Sequence, residues 1–96
     1  MDRIDLPRGR WVRFERPMYI SDNRAFARIA GAESMTFLEM MDAYIAIIEP
    51  AVAERSWDGP FDQLTDDELL LIARSWQQQT EDAAVPPANG TSSETP

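Results

Sequence analysis

The most hydrophobic stretch of this chain runs Thr-Phe-Leu-Glu-Met-Met-Asp-Ala-Tyr-Ile-Ala-Ile-Ile-Glu-Pro-Ala-Val, from Thr36 to Val52, and whatever fold forms must cover it. Its periodicity is helical. At about 100° per residue, Phe37, Leu38, Met40, Met41, Tyr44, Ile45, Ile47, Ile48 and Val52 share an arc of about 180°, while Glu39, Asp42, Ala43, Ala46 and Glu49 fill the other half. A helix lying on one neighbour needs an apolar stripe only a little over about 100° wide. This one is expected to meet two neighbours, its own fold and a partner. Thr36 with Glu39 forms a capping box at its start. Pro50 lacks an amide hydrogen and crowds the carbonyl of Ala46, so the helix should kink or end near Glu49, with a resumption through Ala53 as the alternative.

The rest of the chain reads as cover for that helix. Residues 2–16 predict two short strands around a type I turn at Leu6-Pro7-Arg8-Gly9, with Val12 and Phe14 alternating against Trp11, Arg13 and Glu15. A lone hairpin is unstable in water, so this one must pack on the helices or pair with another chain. A short helix over about Asp22 to Ala30, capped by Ser21-Asp22 and stopped by Gly31, carries Phe26, Ile29 and Ala30 on one side and Arg24 with Arg28 on the other. Trp57-Asp58-Gly59-Pro60 forms a turn whose indole is expected to plug the open end of a small core. The last helix starts at Thr65-Asp66-Asp67-Glu68, a second capping box, and turns Leu69, Ile72, Ala73 and Trp76 inward with Leu71 nearly opposite. After Gln77 the periodicity fades, and Ala83–Pro96, rich in proline, serine and glycine, is expected to be a disordered tail or linker. The fold class expected is mainly α (α+β): an N-terminal hairpin packed on about three helices in residues 1–80, with 81–96 as the tail.

Composition narrows the chemistry. Cysteine and histidine are absent, which removes disulfides, thiol nucleophiles and the commonest base and metal ligand. The acids Asp58, Asp62, Asp66, Asp67 and Glu68 are dense, but they lack the spacing of a calcium loop, and capping accounts for the last three. No phosphate loop, nucleophile elbow or acid/base pair is present. The expectation is therefore a non-enzymatic protein with no catalytic residue, cofactor, metal or small-molecule substrate. All nine basic residues are arginine, and seven fall in residues 1–30 against four acids. Residues 31–96 hold two arginines against thirteen acids. Such polarity favours head-to-tail association of copies, or an acidic surface that repels nucleic acid and receives a basic partner, with solvated faces kept soluble by net charge as the plainer reading; a homo-oligomer is expected. No apolar run reaches a membrane span and the first twenty residues lack the marks of a secretion signal, so a cytoplasmic location is expected.

The order Leu6-Pro7-x-Gly9-x-Trp11-Val12-x-Phe14-x-x-Pro17, an arginine-bearing short helix, a long apolar helix, a Trp57-x-Gly59-Pro60 turn, a leucine-rich helix and a polar tail resembles the small tail assembly chaperones of actinobacterial long-tailed phages. The likeness spans about residues 5–76, with Asn23-Arg24-Ala25-Phe26-Ala27-Arg28 departing from the Asp-Arg pairs common there. The resemblance implies a protein of the host cytoplasm that binds and solubilises the helical tape measure protein during tail assembly, and a tail that would serve as linker into a longer frameshifted product. It supplies no catalytic or ligand residues. The alternatives are a structural tail or head–tail connector protein and a small acidic interaction module acting on a host target. Surplus apolar surface on the central and last helices places the partner-binding residues at Met40, Met41, Tyr44, Ile47, Ile48 and Leu71, with the methionines making such a surface adaptable.

Overall fold

The computed structural model describes residues 1–84. Strands β1 (Ile4–Asp5) and β2 (Trp11–Phe14) are followed by helices α1 (Ile20–Gly31) and α2 (Phe37–Ile48), a 3₁₀ turn (Glu49–Ala51), strand β3 (Val52–Arg55), a second 3₁₀ turn (Phe61–Gln63) and helix α3 (Asp66–Ala84). The strands form an antiparallel sheet in the order β1-β2-β3. An N-terminal hairpin on three helices is thus the architecture, as the sequence indicates, with one strand added. The expected tail lies, from residue 85 onward, outside the described residues, and α3 carries the chain as a helix past the boundary drawn at residue 80.

The hairpin turn forms where proline and glycine place it. The Gly9 amide donates to the Leu6 carbonyl at 3.2 Å, the Leu6 amide donates to the Arg10 carbonyl at 2.8 Å, and Gly9 takes a φ of 80°. A left-handed residue after a tight turn is the usual way to close a three-residue hairpin loop, and glycine adopts it without a Cβ penalty.

Two expectations need correction. The chain does not resume as helix beyond Pro50: Val52–Arg55 pairs with β2, placing Val12 opposite Arg55, Arg13 opposite Glu54 and Phe14 opposite Val52, with Ala53 as the extra residue of a bulge. Proline ends the α-helical ladder and the 3₁₀ turn redirects the chain, so the second edge of β2 is filled from within rather than by another molecule. Helix α1 begins two residues earlier than its serine and aspartate suggest. Tyr19 occupies the cap position, and Asp22, held by Arg16 at 2.8 Å, accepts the Tyr19 amide at 2.7 Å.

The core lies between the sheet and α3. Val12 and Phe14 are fully buried, and the Phe14 ring stacks on Trp76 with centroids 4.1 Å apart. Trp76 also donates its indole N–H to the Arg16 carbonyl at 2.9 Å, which satisfies the one polar atom that its burial would otherwise strand. Leu69, Ile72 and Trp76 face inward on α3, Ile48 does so on α2, and Phe61 closes the end of the core. Trp57 lies half-buried over Phe61, its ring 5.3 Å away, so the plug is a pair rather than the tryptophan alone.

Among the described residues, Glu68 is the one buried charged side chain. Its Oε1 accepts from the Thr65 amide at 2.9 Å, the Thr65 hydroxyl at 3.1 Å and the Arg10 guanidinium at 2.6 Å, with Arg8 at 3.6 Å. Burial alone would push the carboxyl pKa up. The Thr65 bonds and then the Arg10 bond and charge together outweigh it and hold the group below its ordinary value.

Candidate functional site

Helix α2 has two flanks, and the fold treats them differently. On one, α1 lays Phe26 edge-on against Tyr44 at 5.1 Å and against Trp76 at 6.5 Å. That contact absorbs much of the surplus apolar arc. The other flank stays open: Leu38 is 70% exposed and Phe37 53%, although both belong to the most hydrophobic helix of the chain.

The open flank is one wall of a groove. Phe37, Leu38, Met41 and Ile45 line it from α2, and Phe61, Leu64 and Leu69 line it from the opposite side and floor. Its volume is about 310 Å³. Three carboxylates, Asp42, Asp62 and Asp66, stand along it, and none of them joins an ion pair among the described residues. No arginine lines it. The Thr36–Glu39 capping box holds the α2 end in place, with the Thr36 amide on Glu39 Oε1 at 2.8 Å and the Glu39 amide on Thr36 Oγ1 at 3.1 Å. Thr65 and Glu68 do the same at the start of α3. The two caps thus fix, through local bonds three residues apart, the two helix starts that border the groove. An apolar floor with an acidic rim suits an amphipathic helix that carries basic residues beside its apolar stripe.

A second groove of about 410 Å³ lies between α1 and α3, where Met18, Phe26, Tyr44, Leu70 and Ala73 meet Arg74. It is larger and no less apolar, but its charge is the opposite: Arg74 lines it and no carboxylate does, so it offers no counter-charge to a basic helix.

Of the six partner-binding residues expected from sequence, the structure brings one to the acid-rimmed groove, Met41. Ile48 is fully buried and belongs to the core, which corrects its assignment: it lies at the centre of the arc, where α2 meets the fold. Tyr44 is half-buried, packs against Phe26 and lines the second groove. Ile47 and Leu71 are half-buried and pack against the core, while Met40 is half-buried outside that cluster. The leucine of α3 that reaches a groove wall without joining the core cluster is Leu70 rather than Leu71. Leu38 and Phe37 belong to the apolar arc, but the arc alone gives no reason to prefer them. Their signal was position: they fall directly after the cap, in a first turn where the fold has little to lay over them.

Among the described residues no helix is long and apolar enough to cross a membrane, and no group of three or more carboxylates is placed to hold a metal ion. Comparison with family models, with curated proteins and with solved structures finds no match in any of the three.

Proposed function

We propose that this protein is a non-enzymatic phage tail assembly chaperone, acting in the host cytoplasm, that binds and solubilises the helical tape measure protein while the tail is built. The sequence resemblance supplies the class of client, and one structural observation supports it: the open groove with exposed Phe37 and Leu38 above Met41, Ile45 and Leu69, bordered by Asp42, Asp62 and Asp66. A long helical client presents amphipathic segments in sequence, and each needs an apolar cleft and a counter-charge rather than chemistry. Methionine on the wall lets one cleft accept differing side chains.

The test is co-expression with a tape measure segment. The soluble fraction of the segment should rise with the wild-type protein and fall back with Leu38→Asp, which places a carboxylate on the groove wall. Burying a leucine is worth about 1.5–3 kcal/mol, so its loss alone should weaken binding about 10- to 100-fold. A segment equally insoluble with and without the wild-type protein refutes the reading.

A further inference from the structure

Helix α1 turns its own cationic, partly apolar stripe to solvent. At about 100° per residue, Ile20, Arg24, Ala27, Arg28 and Gly31 share an arc of about 100°, directly opposite buried Ile29. All five are exposed, Ile20 at 70%, with Tyr19 at 57% just before it. Most arginines of the N-terminal half are engaged: Arg3 with Asp5, Arg8 and Arg10 with Glu68, Arg13 with Glu54, Arg16 with Asp22. Arg24 and Arg28 join no ion pair among the described residues. The stripe thus has the chemistry the acid-rimmed groove would accept, an exposed aliphatic end followed by two free cations on one helix face.

It cannot reach the groove of its own molecule. Phe26 holds α1 against Tyr44 and Trp76, on the flank of α2 away from Leu38, Asp42 and Ile45. We infer that the α1 stripe of one copy docks in the groove of the next, with Ile20 on Leu38 and with Arg24 and Arg28 facing Asp42, Asp62 and Asp66. Because the two surfaces differ, the contact is head-to-tail, and each added copy leaves one groove and one stripe free. The inference shares its groove with the client reading above. In this arrangement α1 occupies the place of a client helix, and a client of the same chemistry displaces it.

The test is sedimentation equilibrium of the full chain over a concentration series from micromolar to millimolar. The wild type should rise in multiples of 10.9 kDa at low salt, with the association weakening as salt is added. Leu38→Asp removes the groove, and Ile20→Asp with Arg24→Glu and Arg28→Glu removes the stripe. Each variant alone should stay at 10.9 kDa, and an equimolar mixture should form a dimer that grows no further, since one retains a stripe and the other a groove. Far-UV circular dichroism checks that both are folded. Should either fail to fold, the charge exchange Arg24→Asp and Arg28→Asp mixed with Asp42→Arg and Asp62→Arg serves instead, with each silent alone and the pair associating. A wild type of 10.9 kDa at every concentration, variants that associate as the wild type does, or complementary variants that ignore each other overturn the inference. The stripe variant should still bind a lysine-bearing amphipathic peptide. Failure of that variant to bind the peptide, with the wild-type head-to-tail series intact, would remove the client reading and leave this one standing.

Discussion

At the residue scale, Glu68 joins the two halves of the fold. Its Oε1 serves the Thr65 amide and hydroxyl and the Arg10 guanidinium, tying the hairpin loop to the start of α3, while Oε2 is buried without a hydrogen-bond partner. Glu68→Ala should cost about 2–3 kcal/mol in urea denaturation, combining a lost cap with a broken buried pair, the latter moderated because Arg10 is 25% exposed and can turn to water. Glu68→Gln should cost less, since its carbonyl oxygen can still accept the Thr65 bonds. The pH dependence follows from the lowered pKa. A carboxyl held below its ordinary value contributes its stability in full above that ordinary value of 4.5 and loses it as pH falls through the lowered one. The acid limb of a stability-against-pH curve should therefore be shallower in Glu68→Gln than in the wild type. Gly9 is a second single-residue dependence: with φ at 80° and open space where a Cβ would stand, Gly9→Ala should cost about 1 kcal/mol from the backbone alone.

At the scale of elements, α2 separates core from surface along one helix of twelve residues. Ile48→Asp places a charge among Val12, Phe14 and Ile72 and should abolish the cooperative melt, whereas Leu38→Asp should leave the midpoint within the range of ordinary surface changes, about 0.5 kcal/mol. Thermal denaturation followed by circular dichroism distinguishes the two. Both residues look alike in the sequence, being aliphatic members of one apolar arc. The helix caps were legible because Thr36 with Glu39 and Thr65 with Glu68 act over three residues, and the hairpin was legible because proline and glycine fix its turn locally. Strand β3 was not, since Val52–Arg55 is extended by its pairing with residues some forty positions earlier and follows a helix with no strand-like alternation of burial. The open flank of α2 was not legible either. The apolar arc has two edges, and only the tertiary contact of Phe26 with Tyr44 decides that the edge bearing Leu38 and Ile45 stays uncovered.

At the scale of the whole molecule, folding redistributes the charge asymmetry of the chain. The basic first third appears in sequence as a positive pole, but Glu54 and Glu68 neutralise arginines on β2 and the hairpin loop, leaving α1 as its exposed remnant. The sheet and the helices are joined chiefly through Trp76, which stacks on Phe14 and bonds to the Arg16 carbonyl, and through Thr80, which accepts the Met18 amide at 2.8 Å. Trp76→Ala should cost about 3–5 kcal/mol, enough to consume much of the stability of a domain this size. In the wild type, tryptophan fluorescence and far-UV circular dichroism should report one coincident unfolding transition, because no half of the molecule keeps a core without the other. The Trp76–Arg16 bond also spans sixty residues. At about 5–20 residues per second, a ribosome takes roughly 3–12 s to travel that distance. For those seconds Val12 and Phe14 have been made but their cover has not, so the nascent chain exposes the kind of apolar surface that cellular chaperones recognise.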